Sequence, residues 1–153
     1  MRNQEIAKSN LRAFENALSK NLISLEKGEV HDDIVFHADK PNGEDRITYG
    51  LMGNNSILKA ACVVMLSEPY KGKPCFDTGI STVTRFQRQG HGKLVLEKSI
   101  DELKNGLARS KIEEFYIELK VDNDNEPSRR LCSHFTDETI SKENVTIYML
   151  LVQ

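Results

Sequence analysis

Tryptophan is absent from the 153 residues, and cysteine and proline are scarce, at three and four. Cys62, Cys75 and Cys132 are odd in number and lack short paired spacings. That pattern excludes a disulfide framework and a zinc site, and it points to a reducing, cytoplasmic setting. His31, His37, His91 and His134 show no ligand spacing either, so no metal is expected. No long apolar run exists. The longest, Ala60 to Leu66, is too short to cross a bilayer, and the polar N-terminus has no signal core. No excess of one charge exists: 21 basic residues are interspersed with 23 acidic ones, for a net charge of −2. A field able to hold nucleic acid or an anionic membrane is therefore missing. Repeats, low-complexity tracts and Gly/Pro/Ser-rich linkers are absent as well. What is present is 39% hydrophobic and 29% charged residues. That balance predicts one soluble domain over residues 1–153, large enough to bury a core.

The periodicities predict a mixture of helices and strands. Ala7, Leu11, Phe14, Leu18, Leu22 and Leu25 recur at spacings of three and four, which predicts a helix from Glu5 to Lys27 closed by Gly28. Strands are expected at Ile34 to His37, Arg46 to Met52, Ile57 to Leu66 and Phe76 to Thr84. Pro41-Asn42-Gly43 and Gly53-Asn54-Asn55 mark turns between them. After Gly92, Leu96, Ile100, Leu103 and Leu107 read as a helix. Glu113 to Val121 alternates as a strand. Pro127 then opens a short helix, and Val145 to Val152 is a last strand. The result is an α/β (α+β) domain on a mixed sheet.

The most informative stretch is Gln87-Arg88-Gln89-Gly90-His91-Gly92, between a strand and a helix. The N–H groups that open a helix lack partners and sit at the positive end of its dipole. Glycine lets a bulky anion approach that backbone, and Arg88 and Lys93 add charge. The stretch is not a Walker A loop, because Leu94 follows Lys93 and the first glycine is missing. It also lacks the third glycine of a dinucleotide fingerprint. A plain strand-to-helix turn and a site for another phosphate ligand stay open on these residues alone.

A second segment adds to the first. Val121, Asn125, Ser128 and Leu131-Cys132 follow at regular spacing. Together the two segments resemble the GNAT superfamily of N-acetyltransferases. There the turn reads Gln/Arg-x-x-Gly-x-Gly/Ala, and the later segment reads Val-x3-Asn-x2-Ala-x2-Leu-Tyr. The resemblance covers about Phe76 to Phe135. It implies a three-layer domain with helices on both faces of a mixed, largely antiparallel sheet, whose fourth and fifth strands splay around the cofactor. It further implies acetyl transfer from acetyl-CoA to an amine acceptor, a small molecule or a protein, without a resident metal. The backbone near Val83 and Thr84 would pair with the pantetheine arm. The main chain of Gln87, Arg88, Gln89, Gly90, His91, Gly92 and Lys93 would hold the pyrophosphate. Asn125 and Ser128 would face the arm from the other side. Cys132 stands where the family often has an acidic tyrosine. The chain also opens on a helix where the family opens on a strand. Oligomeric state is open, a homodimer included.

Direct attack by an amine needs a base for its proton, a donor for the tetrahedral oxyanion and a proton for the leaving thiolate. Asp77 and Glu118, with Glu68 beside them, are the candidate bases. Cys132 is the candidate acid, or else a packed core thiol. Asp32, Asp33, Glu44 and Asp45 are expected near the acceptor's entry, where they would favour a cationic amine. The rival to an enzyme is a non-catalytic module that binds CoA or acyl-CoA.

Overall fold

The computed structural model describes residues 2–136 and 138–153. Among those residues three α-helices and eight strands follow one another. They are α1 (Asn3–Ser19), β1 (Glu26–Lys27), β2 (Ile34–Asp39), β3 (Arg46–Met52), β4 (Leu58–Leu66), β5 (Cys75–Thr82), α2 (His91–Ala108), β6 (Phe115–Asp122), α3 (Glu126–Phe135), β7 (Glu138–Ser141) and β8 (Val145–Val152). The strands form one sheet in the order β1-β2-β3-β4-β5-β6-β8-β7. Every pairing is antiparallel except β5 with β6. The expected mixed sheet is therefore observed.

Strand alternation sorts the side chains into two layers. Ala60, Cys62 and Val64 of β4 and Phe115, Ile117, Leu119 and Val121 of β6 share a core with Val95, Leu96 and Leu103 of α2 and Cys132 of α3. Leu11 and Phe14 of α1 pack the opposite face, on Leu58, Ala61 and Val83. Helices thus cover both faces. At the far end of that second face, Tyr70 from the β4–β5 loop stacks edge-on over Tyr116, with ring centroids 4.9 Å apart.

The N-terminal helix is shorter than its periodicity predicts. It ends at Ser19, and Asn21 takes the left-handed conformation (φ 53°) after it, while the Leu22 N–H bonds to Ala17 O. Asparagine can do this because its short polar side chain tolerates that region. Leu22 and Leu25 leave the apolar stripe and lie exposed. Gly28 has a different task. A Cβ there would stand 2.5 Å from Glu102 Oε2, so the glycine admits the Glu102 carboxylate to the N–H groups of Glu29, Val30 and His31. The two short edge strands β1 and β7 carry too few residues for period-two alternation to show. Among the described residues no helix is long and apolar enough to cross a membrane.

Candidate functional site

The site is built where β5 and β6 part. Their parallel pairing runs only from Cys75↔Tyr116 to Thr78↔Leu119. β5 stays paired with β4 up to Thr82, whereas β6 follows β8 away to Asp122. These are the fourth and fifth strands of the expected fold, since the two-residue β1 shifts the count by one.

The hydrogen bonds of β5 decide what faces the gap. Val83 N–H donates to Lys59 O at 2.9 Å, and Ser67 N–H donates to Cys75 O at 2.8 Å. Odd-numbered residues of β5 therefore turn their backbone groups toward β4, and the even-numbered ones turn theirs toward β6. Beyond Thr78 the even positions are Ile80 and Thr82, and β6 no longer reaches them. The expectation for Val83 and Thr84 is corrected here. The Val83 N–H is committed to β4, its side chain is buried under α1, and Thr84 opens a single 3-10 turn outside the strand. The edge that β6 leaves uncovered consists of Ile80 and Thr82, with the Thr82 carbonyl accepting from Gln87 Nε2 at 3.4 Å. The sequence missed them because a run of β-branched residues conceals where a strand ends.

A cavity of about 670 Å³ occupies the gap. One end is the glycine turn, reached through Gln87, Arg88 and Gly92. Gly90 takes φ 83°, open to glycine at little cost, and Arg88 takes φ 64°. The ladder of α2 begins with Leu94 donating to Gly90 O, which leaves the first-turn N–H groups of His91, Gly92 and Lys93 without helix partners. Among the described residues no side chain caps the helix there. Gln89 is exposed, as is Lys93, which reaches Glu97 at 3.9 Å. His91 faces inward: its ring lies edge-on to Phe86, and its Nδ1 is buried without a partner among the described residues. Burial, with Lys59 nearby, holds its pKa below the usual imidazole value.

Opposite the turn, Asn125 and Ser128 line the cavity. The Asn125 side chain also caps α3, accepting from Ser128 N–H at 3.4 Å. Cys132 borders the cavity too, but it is buried in the α2–α3 core, and burial pushes its thiol up to about 12.

The other wall belongs to α1, with Asn3, Gln4, Lys8 and Asn10. Asp122, at the end of β6, fixes this helix in place. Its carboxylate accepts from Gln4 N–H at 3.1 Å and from Asn3 N–H at 3.3 Å.

Where β5 and β6 meet, on the α1 side of the sheet, three charges gather. Lys120 Nζ lies 3.5 Å from Asp77 Oδ2 and 3.3 Å from Glu118 Oε1. Burial raises the Asp77 pKa; Glu118 adds to the rise and Lys120 opposes it. Burial works against the Lys120 charge, yet Asp77 and Glu118 prevail and keep its pKa raised. The Cys75 thiol faces Glu118 at 3.8 Å, and burial with that carboxylate pushes it up to about 12. Asp77 and Lys120 line the cavity; Glu118 stands behind Lys120. Lys120 was legible in the sequence only as a polar residue alternating with Leu119 and Val121.

The acids expected at the entry lie elsewhere. Asp33 pairs with Lys98 on α2, and Asp45 pairs with Lys40 in the β2–β3 hairpin. Asp32 and Glu44 are exposed, as is Glu68, the third candidate base, and neither it nor any of the four entry acids borders the cavity.

No family model matches the chain, and no curated protein matches it by sequence. Solved structures do. An acetyltransferase of the GNAT family from Streptococcus pneumoniae aligns at 16% identity over 69% of this chain and 66% of its own, with a TM-score of 0.49. A Vibrio cholerae protein proposed as a ribosomal-protein-serine acetyltransferase aligns at 18% identity over 71% of this chain and 64% of its own, with a TM-score of 0.52. Arabidopsis thaliana NAA60, solved with a bisubstrate analogue, aligns at 12% identity over 72% of this chain and 76% of its own, with a TM-score of 0.51. This chain thus spans just under two thirds of the first two. The splayed mixed sheet, the glycine turn and the last two of these likenesses agree: the chain has the fold of the GNAT acetyltransferases.

Proposed function

We propose that the chain is an N-acetyltransferase that moves an acetyl group from acetyl-CoA to an amine. One observation carries this reading: a β-edge at Ile80 and Thr82 that no strand covers among the described residues, with only the Gln87 side chain on Thr82 O at 3.4 Å, opens into a cavity whose far end is a helix N-terminus with N–H groups free of helix partners. An extended amide chain suits such an edge, because it completes the strand's hydrogen bonds. A pyrophosphate suits the turn from Gln87 to Lys93. Coenzyme A joins these two chemistries in one ligand, an amide-bearing pantetheine arm on a pyrophosphate. Asn125 and Ser128 border the arm from α3.

In this reading the amine enters beneath α1 and attacks the thioester carbonyl directly. Asp77 takes its proton; its raised pKa makes it a better base than an exposed carboxylate. Ile80 N–H, on the edge that β6 leaves uncovered, donates to the tetrahedral oxyanion. Cys132 is a wall of the cavity and not the acid. A thiol at about 12 would give its proton to a thiolate of ordinary pKa, ~8.5, against a gradient of roughly a thousandfold.

The test is binding first and turnover second. Acetyl-CoA should raise the melting temperature well beyond what inorganic phosphate does. Thiol release should then follow with at least one member of a broad amine panel. Equal shifts with phosphate and acetyl-CoA would refute the cofactor. Tight acetyl-CoA binding with no thiol release from any amine would leave a CoA-binding module in place of the enzyme.

A further inference from the structure

We infer that Lys120 is the cation that receives the leaving thiolate, held for that task by Asp77 and Glu118. The inference rests on the acetyl-CoA reading and adds a catalytic residue to it. A cofactor arm laid along Ile80 and Thr82 from the turn runs out of free edge at Thr78, where β6 rejoins β5. Its sulfur then ends beside the first residues past the junction, Gly79 and Lys120. Both line the cavity, and both project to the α1 side of the sheet. Space for the sulfur and acetyl group is already there, since a Cβ on Gly79 would meet nothing within 4 Å.

Lys120 is set apart from a surface lysine by its two partners. Asp77 at 3.5 Å reaches it from β5, and Glu118 at 3.3 Å from its own strand. The other ionisable groups on the cavity are Lys8 from α1, Arg88 from the turn, Asp122 at the end of β6, and Cys132. Arg88 belongs to the phosphate end, and Asp122 is engaged with Gln4 and Asn3. β8 faces this side with apolar Ile147 and Met149, and the Cys75 thiol faces Glu118.

During transfer the C–N bond forms and the C–S bond breaks. The amine's proton passes to the Asp77 carboxylate. The sulfur leaves with the bonding pair as a thiolate beside the Lys120 ammonium, which keeps its own proton throughout. The thiolate then takes a proton from water, Asp77 returns the amine's proton to water, and the products are the amide and CoA thiol. A fixed cation within a few ångströms of the sulfur lowers the barrier to that departure.

The same contact is measurable without knowing the acceptor. An opposite charge within ~4–6 Å lowers an acid's pKa by roughly 1–3 units. Asp77 and Glu118 work against the ammonium at any thiol nearby, as they do at Cys75, so the contribution of Lys120 is read as a difference: the thiol of CoA bound to the wild-type protein should ionise about one pH unit or more below that of CoA bound to Lys120→Met. The readout is ultraviolet thiolate absorbance, taken as a difference against the protein saturated with a CoA analogue lacking the thiol. The three protein thiols, each pushed up to about 12 by burial, stay silent over the range used. Lys120→Met should bind CoA and ionise its thiol about one pH unit or more above the wild-type complex; Lys120→Arg should stay close to the wild type. Where Lys120→Met binds CoA and its thiol ionises as in the wild-type complex, the inference fails and the acetyltransferase reading stands. Failure of the wild-type protein to bind CoA overturns both.

Discussion

The carboxylate of Asp122, on the last residue of β6, accepts the N–H of Gln4, in the first turn of α1, at 3.1 Å across 118 positions of sequence. It caps the helix that forms one wall of the cavity. Burial raises the Asp122 pKa, but the N–H donors of Gln4 and Asn3, with Arg2, outweigh it and leave the value lowered. A lowered carboxyl pKa contributes stability above the unfolded value, ~3.9, and loses it as pH falls through the folded one. Asp122→Ala should cost about 1–2 kcal/mol at neutral pH, the usual range for a lost cap. Urea unfolding near neutrality and again near pH 3 checks this. The gap between wild type and variant should narrow in acid, and a constant gap would assign the loss to packing.

Glu102 gives a second, independent prediction. Its carboxylate gathers the N–H groups of Glu29, Val30 and His31, with His31 N–H at 2.7 Å. Gly28→Ala would put a Cβ 2.5 Å from Glu102 Oε2 and 2.9 Å from His31 O. The carboxylate or the loop must then shift, at a cost of about 2–4 kcal/mol. The same change in a Glu102→Ala background should cost distinctly less. Strict additivity in that double-mutant cycle would show that the glycine serves some other contact.

Sequence legibility followed the strength of local signals. β3 and β8 fall at the expected residues because alternation and flanking turns agree there. α1 was overextended because Leu22 and Leu25 continue its spacing, although Asn21 had already turned the chain. The turn at Gln87 to Gly92 was legible because it needs glycine at a left-handed position, a local demand. The register of the free edge was not legible. Whether Thr82 or Val83 faces the gap depends on which of them pairs with Lys59, and that is a tertiary fact. The Asp77–Lys120–Glu118 cluster likewise exists only because two parallel strands meet at Thr78 and Leu119.

The two glycines of the turn should respond differently. Gly90 has φ 83°, so Gly90→Ala is strained by its backbone even though its Cβ would meet nothing within 4 Å. A loss of about 1 kcal/mol is expected on urea unfolding. Gly92 has no such strain, and its Cβ would point between Thr82 Oγ1 at 3.5 Å and Leu131 at 3.8 Å. Gly92→Ala should fold with near-normal stability. Gly92→Phe should fill the passage between β5 and α3 and weaken CoA binding at least about tenfold, or roughly 1.4 kcal/mol, by calorimetry. Undiminished affinity in Gly92→Phe would move the arm out of this passage.

Cys132 separates packing from chemistry. It is 1% exposed and belongs to the core of α2, α3 and β6. Cys132→Ala should lower stability by about 1 kcal/mol through the small cavity it leaves. Turnover at saturating acetyl-CoA should be unchanged. A tenfold slower turnover in a variant of near-normal stability would restore the thiol as the acid.

In the proposed reaction Asp77 sets how the rate depends on pH. As a base it works only when ionised, and burial holds its pKa above the usual carboxylate value. The kcat/KM for an amine found in the panel should therefore fall on the acid side along a limb placed above ~3.9. Amine deprotonation produces its own limb at higher pH, so the two are told apart by repeating the profile with amines of different pKa. Only the carboxylate limb should stay fixed. Asp77→Asn should abolish that limb and lower the rate by about 100-fold or more, the usual contribution of a placed base. Glu118 is the control, since it stands behind Lys120 and does not border the cavity. Glu118→Gln should leave the limb in place and reduce the rate far less. A limb that survives in Asp77→Asn and disappears in Glu118→Gln would exchange the roles of the two carboxylates.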